Sequence, residues 1–379
     1  MSKIETLKKL DVKNKRALVR VNFDVPLDKR GEIVDNFRIK ESLPTIEYLI
    51  KQKAKIILIS HLGRPDGEKS SKLSLKPIAD ELGKLLKKKV GFCKNIFGKD
   101  VGHNNILLLE NIRFWADEEK NSLEFAQKLA KLGDVFINEA FAVSHREHAS
   151  IVGIPKFLPS APGFLFEKEI EELGRIIKNH KKPLVAIVGG AKIETKIKVI
   201  NKFLKIADKV LIGGALANTI FASKSITMGG SLIDKNSFRE VKKINLKSPK
   251  LFLPIDLGIW DGKNALYRDI GPLQQFEKAL DIGPKTMHLF CDMVMNAKMV
   301  VWNGPLGLTD QKPFDEASMV LIETIDKSNA CAIVGGGDTI GFINKIGKGK
   351  VFDWMSTGGG AMLDYLANDT LPGIEALRK

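Results

Sequence analysis

The sequence predicts an α/β protein built on open parallel sheets. Strand-like runs alternate with helical stretches along almost all of the 379 residues. Most of these runs are continuously apolar, which is typical of parallel strands covered on both faces. Glycine-rich or charged turns follow many of them. Because ligands of such sheets bind beyond the carboxyl ends of the strands, these turns are the candidate functional segments.

The predicted elements divide into two series. Strands are expected at 16–21, 55–60, 106–109 and 134–137, and then at 184–188, 210–212, 251–253, 299–302, 330–334 and 351–352. Long helices are expected at 75–88, 122–132, 192–206 and 284–297. Alternating β and α elements predict an α/β architecture with open parallel sheets.

A proline-rich stretch at 154–163 marks a boundary between two domains. The helical pattern that follows it is interpreted as a bridging helix, and Pro183 opens the next strand. We therefore expect an N-terminal domain at 1–163, a bridging segment at 164–182 and a C-terminal domain that begins at 183. A chain of this length is natural for two domains.

Composition narrows the class of protein. Hydrophobic residues make up 44% of the chain, which suits ordinary globular packing, and no apolar run reaches the roughly 18 residues of a membrane span. The cysteines, Cys93, Cys291 and Cys331, are scattered, which favours a reducing, cytoplasmic setting. The net charge of +15 permits nucleic acid or small acidic ligands. Its spread along the chain favours a basic solvated surface, with no nucleic acid and no membrane as partner.

The first half places charged side chains after its strands. Arg20, Asn22 and Asp24 follow the first strand, and the later candidates are Arg38, His61, Arg64, Arg113 and Arg146. A single arginine of this kind is usually half of a surface ion pair. As a set at one sheet edge, they predict a basin for a small molecule with several negative charges. No nucleophile motif accompanies the histidines, so orienting an anion is a sufficient role for them.

The second half uses glycine where the first uses arginine. Gly189-Gly190, Gly213-Gly214, Gly335–Gly337 and Gly358–Gly360 each follow a strand. Such turns let phosphate approach the N–H groups at a helix N-terminus, although a single pair could be only a tight turn. With Asp338 inside one of them, the set predicts a nucleotide polyphosphate and a metal ion. Lys192 and Lys196 are expected on one face of the following helix, within reach of phosphates.

Two alternatives remain beside this interpretation. The sequence contains neither G-x-x-x-x-G-K-[ST] nor G-x-G-x-x-G, which disfavours a P-loop NTPase and a standard dinucleotide-binding dehydrogenase. A nucleic-acid-binding protein would account for the charge of +15 and predicts steeply salt-dependent binding. It would not account for arginines and glycine turns that follow strands.

Ordered motifs along nearly the whole chain resemble the phosphoglycerate kinase family. They are RVNFDVP from Arg20, SHLGRP from Ser60, ENIRF from Glu110, HREHAS from His145, GFLFEKE from Gly163, VAIVGGAK from Val185, DIGPKT from Asp281, VWNGPLG from Val301, GGGDT from Gly335 and STGGGA from Ser356. Any one of them is weak, whereas their common order is specific.

The resemblance implies a particular architecture and reaction. It implies two Rossmann-like domains with parallel sheets facing a central cleft, with the C-terminal domain at 183–362 and a last segment, 363–379, packing back on the first domain. It also implies a monomeric, glycolytic transferase of the kinase class. Such an enzyme moves a phosphoryl group between 1,3-bisphosphoglycerate and ADP, or between ATP and 3-phosphoglycerate in reverse, with Mg²⁺ as cofactor.

The resemblance also implies roles for individual residues. The glycerate ligand is expected at Asn22, Phe23, Asp24, Arg38, His61, Leu62, Gly63, Arg64, Arg113 and Arg146. The nucleotide is expected at Gly189, Lys192, Lys196, Gly213, Gly214, Asn303, Pro305, Asp310, Gly336, Gly337, Asp338 and Thr339, with Asp338 contacting magnesium. Catalysis is assigned to Arg38, Lys192, Gly337, Gly358, Gly359 and Gly360. No general base is needed for in-line transfer after domain closure, because the attacking carboxylate is already ionised.

This chain departs from the family pattern at two places that bear on binding. It has Asn22-Phe23-Asp24 where the family usually has Asp-Phe-Asn, so that acid and amide have exchanged positions. It has Thr309-Asp310 where Phe-Glu is common, and aspartate is one methylene shorter. We expect glycerate binding to survive with altered affinity and nucleotide binding to be weaker than is typical.

Overall fold

The computed structural model describes residues 4–98 and 104–378. Residues 1–3, 99–103 and 379 belong to the predicted domains and lie outside the described residues. The chain separates into two compact units. The first contains the described residues up to Glu171 together with those from Thr370 onward, and the second is Glu172–Asp369. The chain therefore returns to the first unit at Thr370, later than the expected residue 363.

The first unit is built on a parallel sheet in the strand order β3-β4-β2-β1-β5-β6. The strands are β1 Arg16–Arg20, β2 Lys55–Ile59, β3 Gly91–Cys93, β4 Ile106–Leu109, β5 Val135–Asn138 and β6 Ser160–Pro162. Arg20 at the end of β1 is in register with Ile59 on one side and Asn138 on the other. The carboxyl ends of the central strands therefore share one edge of the sheet.

Helices cover both faces of this sheet. They are α1 Phe37–Glu41, α2 Leu43–Lys51, α3 Lys76–Leu86, α4 Ala116–Glu119, α5 Leu123–Ala130 and α6 Phe164–Lys178. Val19 packs into one apolar cluster, whereas its neighbour Leu18 packs into another. Successive strand residues thus point into opposite cores, which accounts for the continuously apolar strands.

The second unit contains a second parallel sheet, in the order β15-β14-β13-β7-β8-β9. Its strands, together with those of a smaller sheet, are β7 Leu184–Val188, β8 Lys209–Ile212, β9 Leu251–Phe252, β10 Asp256–Trp260, β11 Ala265–Asp269, β12 Lys278–Ile282, β13 Met299–Asn303, β14 Cys331–Gly335 and β15 Trp354–Ser356. The helices are α7 Ile197–Ile206, α8 Gly214–Ser223, α9 Phe238–Val241, α10 Pro284–Met295, α11 Glu316–Lys327, α12 Gly337–Lys345 and α13 Gly359–Asn368.

Several element predictions need correction. The short strands β3 and β6 and the antiparallel sheet β11-β10-β12 were not predicted. Residues 351–352 do not form a strand: Val351 ends a 3₁₀ turn, and β15 begins at Trp354. The predicted helix 192–206 begins only at Ile197. Lys192 and Lys196 therefore precede the helix, and the prediction that they share one helical face was wrong.

Helix α6 starts in the first unit, where buried polar groups receive its first N–H groups. Thr45 Oγ1 accepts a hydrogen bond from Phe164 N at 2.8 Å, and Glu139 Oε1 accepts one from Leu165 N at 3.3 Å. Burial raises the pKa of the Glu139 carboxyl to about 8. A helix N-terminus favours such an acceptor because its first N–H groups have no partner within the helix.

The end of the chain is tied into the first unit. Helix α14, Pro372–Glu375, is positioned by a 2.8 Å hydrogen bond from Gly373 N to Ser144 O. Ile4 and Arg378 form an isolated antiparallel bridge. Among the residues that the structure describes, no helix is long and apolar enough to cross a membrane.

Candidate functional site

The first-unit candidates lie in the loops that follow β1, β2 and β4, and hydrogen bonds join three of these loops. Gly63 N donates to Asp24 Oδ1 at 2.9 Å, and Arg113 Nη1 donates to Gly63 O at 2.8 Å. Gly63 has φ +63°, and an added Cβ would lie 2.8 Å from Leu73 Cδ2. The positive φ favours glycine at this junction, and a side chain there would also have to displace the end of Leu73.

Arg38 and His61 complete the junction. Arg38, from α1, donates to the backbone oxygen of Asp24. His61 is almost fully buried; its Nδ1 lies 3.2 Å from Arg20 Nη2, and its Nε2 lies 3.9 Å from Asp24 Oδ2. Burial and the surrounding arginines, Arg20 foremost, hold the pKa of His61 well below its usual value. The ring is therefore neutral near pH 7.

Three of the predicted ligand contacts, Phe23, Leu62 and Asn22, are buried rather than exposed. The side chains of Phe23 and Leu62 are buried in the apolar core, so that neither side chain is open to a ligand. Phe23 N donates to Ser60 Oγ at 2.9 Å, and Leu62 O accepts from the Asn111 side chain at 2.7 Å. Asn22 is 6% exposed, and its Oδ1 has no hydrogen-bond partner among the described residues.

Charge around the junction is uneven. Arg64 and Arg146 are exposed, and Arg146 Nε lies 3.1 Å from His145 Nε2. Arg113 is mostly buried and its Nε lies 3.1 Å from Glu119 Oε1. Burial lowers the pKa of the Arg113 guanidinium, although an arginine remains charged at neutral pH. The first unit thus presents several cations with few acidic partners.

Sequence reasoning missed part of this site. Arg20 is fully buried rather than part of the ligand-facing set, and its Nε donates to Ser150 Oγ at 2.7 Å. Ser150 Oγ in turn donates to Glu118 Oε1 at 2.5 Å. The position of Arg20 at a strand end was visible in the sequence. Ser150 and Glu118 could not be predicted as its partners, because they are distant from Arg20 along the chain and belong to no recognisable motif.

The second-unit candidates follow β7, β8, β13, β14 and β15 and pack backbone against backbone. An added Cβ on Gly189 would lie 2.1 Å from Pro305 O, and one on Gly214 would lie 2.7 Å from Gly190 N. Gly190 N donates to Pro305 O at 2.7 Å. Gly304 has φ +91°, and an added Cβ there would lie 2.3 Å from Gly189 O. The glycines permit an approach that any side chain would block.

The same contacts continue to the two glycine triplets. Gly304 N donates to Thr339 Oγ1 at 3.0 Å, and an added Cβ on Gly359 would lie 2.8 Å from Gly336 Cα. Gly336 has φ +104° and precedes α12, whereas Gly358 precedes α13. The N-termini of α8, α12 and α13 are therefore linked through one set of loops. At α8 two of the first N–H groups already have acceptors, because Gly214 N donates to Leu306 O and Leu216 N donates to Gly190 O. The first turns of α12 and α13 form the more suitable environment for phosphate.

Lys196 belongs to this glycine cluster. Its ammonium donates to Gly189 O, and the residue is 7% exposed. Burial lowers the pKa of Lys196 to about 8, with Lys192 also lowering it and Asp338 opposing the shift. The lysine is therefore still mostly cationic near pH 7, and an arriving phosphate would favour its charged form.

The remaining nucleotide candidates are more scattered. Lys192, Gly337 and Asp338 are exposed, and Gly213 is buried with an added Cβ 2.4 Å from Leu306 Cδ2. Asn303 is buried at the end of β13. The Asp310 side chain is 89% exposed, and its carboxylate lies 3.7 Å from Lys345 Nζ. Gly358, Gly359 and Gly360 stand at the start of α13.

A single aspartate suits one kind of metal site. Among the described residues no group of three or more histidine, cysteine or acidic side chains could hold a metal ion. Mg²⁺ is usually bound by one or two carboxylates together with substrate phosphates and water. Asp338, exposed in the first turn of α12, therefore fits a magnesium ion that arrives with a nucleotide.

Fold and site are those expected of an α/β enzyme of the phosphotransferase class, with a candidate basin for a small anion on one unit and a candidate polyphosphate site on the other. A family model described as phosphoglycerate kinase matches residues 7–369. The chain is 42% identical to phosphoglycerate kinase of Borrelia garinii subsp. bavariensis over 96% of both proteins. It is 40% identical to that of Clostridium kluyveri over 98% of both.

Solved structures agree with these relatives. Phosphoglycerate kinase from Coxiella burnetii superposes with a TM-score of 0.84 at 34% identity, covering 99% of both chains. The enzyme from Pyrococcus horikoshii OT3 gives 0.87 at 31% identity, covering 98% of both. The chain belongs to the phosphoglycerate kinase family. It is a glycolytic phosphotransferase acting between 1,3-bisphosphoglycerate and ADP, and the expected two-domain α/β fold is confirmed.

Gly189→Ala tests whether backbone approach builds the nucleotide site. The new Cβ would lie 2.1 Å from Pro305 O and must displace the loop after β13. Because small misplacements of binding groups are costly, we expect kcat/KM for ATP to fall roughly 100-fold. KM for 3-phosphoglycerate should change little. Steady-state kinetics with each substrate varied in turn provides the measurement.

Gly341→Ala is the matched control. Gly341 lies within α12, and an added Cβ would meet nothing within 4 Å. We expect unchanged kinetics and a stability gain of up to about 1 kcal/mol from the higher helix propensity of alanine. Equal loss of activity in both variants would contradict the assignment.

Proposed function

We propose that the phosphoryl group passes directly from 1,3-bisphosphoglycerate on the first unit to ADP on the second. The observation that carries this proposal is that one glycine cluster links the N-termini of α12 and α13, whose first N–H groups have no acceptor within their own helices and therefore suit phosphate. Direct transfer requires alignment and charge stabilisation rather than a covalent enzyme intermediate. The residues of both candidate sites are suited to that task.

In the first unit we assign glycerate binding to the junction around Gly63. Arg38, Arg64, Arg113 and Arg146 would neutralise the carboxyl and phosphate charges, with His61, Asn22 and Asp24 as polar partners. Phe23, Leu62 and Gly63, whose backbone groups bond within the protein, would shape the loops that carry these side chains. Planar guanidinium groups suit both carboxylate and phosphate because they bind bidentately.

In the second unit we assign nucleotide phosphates to the glycine cluster and Lys196. Gly213, Gly214, Asn303, Pro305 and Gly336–Thr339 would surround the nucleotide, with Asp310 directed to its ribose. Asp338 would hold Mg²⁺, which supplies charge neutralisation on the phosphate oxygens. Lys192 and Arg38 would stabilise the moving group together with the N–H groups of Gly337 and Gly358–Gly360.

Phosphoryl transfer also requires that water be kept away from the reacting groups. The acyl phosphate and ATP are both open to hydrolysis, so water must be excluded during transfer. We propose that the substrates bring the two sites together by hinge bending, and that helix α6, which runs from one unit into the other, takes part. We further propose that the enzyme is cytoplasmic, because its three cysteines are scattered along the sequence without a disulfide-like pattern. We also propose that it is a monomer.

Lys192→Met tests the transfer step. If Lys192 acts mainly on the moving phosphoryl group, kcat should fall at least about 100-fold while both KM values stay within a few-fold. A coupled assay with ATP, Mg²⁺ and 3-phosphoglycerate reads the formation of 1,3-bisphosphoglycerate. Lys198→Met, on an exposed position of α7, is the control and should retain full activity. A rise in KM for ATP alone would reassign Lys192 to ground-state binding.

Asp338→Asn tests the magnesium contact. Loss of the carboxylate should raise the Mg²⁺ concentration needed for half-maximal activity about tenfold or more, because an amide is a weaker ligand for this hard cation. Titration of Mg²⁺ binding to the ADP complex by calorimetry gives a second readout without turnover. The control is Asp326→Asn, an exposed aspartate 3.3 Å from Lys348 Nζ, which should leave both measurements unchanged.

Small-angle scattering tests closure and oligomeric state together. The forward scattering should give a mass near 42.0 kDa. The radius of gyration should fall when 3-phosphoglycerate and Mg-ADP are both bound, and either ligand alone should have a smaller effect. An unchanged radius in the ternary complex would argue against hinge bending, and a doubled mass against a monomer.

A further inference from the structure

The contacts of His61 determine which of its ring nitrogens carries the proton. Arg20 Nη2 lies 3.2 Å from Nδ1 of the imidazole. A guanidinium group only donates hydrogen bonds, so Nδ1 must accept, and the proton of the neutral ring must lie on Nε2. Nε2 faces Asp24 Oδ2 at 3.9 Å, on the side of the proposed glycerate-binding junction.

The arginine that makes this contact is itself held in place. Arg20 is fully buried; its Nε donates to Ser150 Oγ at 2.7 Å, and its Nη1 donates to Val21 O at 2.5 Å. Ser150 is fixed by Glu118, whose Oε1 accepts from Ser150 Oγ at 2.5 Å and whose Oε2 accepts from Ser150 N at 2.9 Å. Each nitrogen of the guanidinium is therefore directed at a different partner.

This arrangement is costly to bury. Glu118 and Arg20 are both fully buried, and burial is the main cause that raises the pKa of the Glu118 carboxyl and lowers that of Arg20 to about 10. Apolar side chains of similar volume are often as good or better for stability at such positions. The buried charges of Glu118 and Arg20 are connected through hydrogen bonds to His61, which faces the proposed ligand. We therefore infer that they position His61 rather than stabilise the fold.

The electrostatic surroundings keep the ring neutral. His61 is faced by Arg20 from β1, Arg38 from α1, Arg113 after β4 and His148 before the turn at Ala149–Gly153, with Asp24 as the facing carboxylate. Burial and the three arginines hold the pKa of His61 well below 6.5. A charged imidazole would attract anions more strongly, but its binding would vary with pH across the physiological range.

We propose that Arg20, anchored by Ser150 and Glu118, is a positioning residue that locks His61 in its Nε2–H tautomer and presents one fixed, neutral hydrogen-bond donor to the glycerate ligand. The proposal rests on the proposed role of His61 in glycerate binding. A fixed donor orients an anion without a proton change on binding. Its hydrogen bond is therefore available at every pH in which the enzyme works.

The tautomer can be read directly in the ligand-free, full-length protein. Labelling the six histidines with ¹⁵N, with His61→Gln for assignment, gives the state of each ring nitrogen. We expect a non-protonated Nδ1 and a protonated Nε2 for His61, unchanged between about pH 5 and pH 8. A proton on Nδ1, or titration of His61 near pH 6.5, would overturn the proposal.

Two variants test the lock itself. In Arg20→Lys, one ammonium group cannot reach three separate acceptors in the geometry of a guanidinium. In Ser150→Ala, the arginine stays but loses the anchor of its Nε. In both variants we expect a mixture of tautomers at His61. We also expect KM for 3-phosphoglycerate to rise about tenfold, which corresponds to the loss of one hydrogen bond to a charged group, while kcat is largely retained. Ser150→Ala keeps both buried charges and is the variant less exposed to misfolding.

The control uses the other end of the same strand. Arg16 begins β1 and pairs with Asp134 at 2.6 Å on the surface, so Arg16→Lys should change neither the tautomer nor KM. A tautomer or KM that stays at the wild-type value in both Arg20→Lys and Ser150→Ala would overturn the positioning role. Absence of turnover in the wild-type enzyme would instead refute the proposed function, and the NMR result on the free protein would still stand.

Discussion

Close packing of backbone against backbone at the carboxyl edge of the second sheet is the constraint on which the nucleotide half of this molecule depends. Gly189, Gly214 and Gly304 meet at distances that leave no room for a Cβ. The loops they form fix where α8, α12 and α13 begin, and hence where the first N–H groups of α12 and α13 lie. Lys196 adds one buried positive charge to the same cluster.

The proposed anion site of the first unit rests on a different physical principle. Its binding groups are side chains, and a long side chain must be held before it can orient a ligand. The backbone of Gly63 forms hydrogen bonds with both Asp24 and Arg113, and the buried Arg20 guanidinium lies against Nδ1 of His61. Backbone recognition needs only space, whereas side-chain recognition needs a second layer of hydrogen bonds. The buried Arg20–Ser150–Glu118 chain provides part of that layer.

Much of the fold followed from the sequence because its signal is local. The continuously apolar strands β1, β2, β7 and β13 predicted covered parallel sheets, and Val19 and Leu18 show why, since they enter opposite cores. The sheet of β10, β11 and β12 was missed because β11 is largely exposed and carries no apolar period. The start of α7 was misplaced because Lys192 and Lys196 continue a helix-like pattern through a segment that forms turns.

The candidate site likewise has a part that local sequence signals predict and a part that only tertiary packing determines. Arginines and glycines at strand ends could be predicted as sets, because parallel strands bring their carboxyl ends together. The partners that orient them could not, since they are set by tertiary packing. Arg20 and Ser150 lie 130 residues apart in sequence and 2.7 Å apart in space. Glu118, in the four-residue helix α4, resembles any charged surface residue until the fold buries it.

The locked histidine gives a physical reading of the exchange between Asn22 and Asp24. Position 22 is 6% exposed, whereas the side chain at position 24 is 38% exposed. An amide costs less to bury than a carboxylate, so this order places the charge at the wetter position. There the carboxylate accepts from Gly63 N and faces His61 Nε2, the nitrogen that bears the proton. The exchange keeps the net charge of the basin and places the Asp24 carboxylate next to the fixed donor.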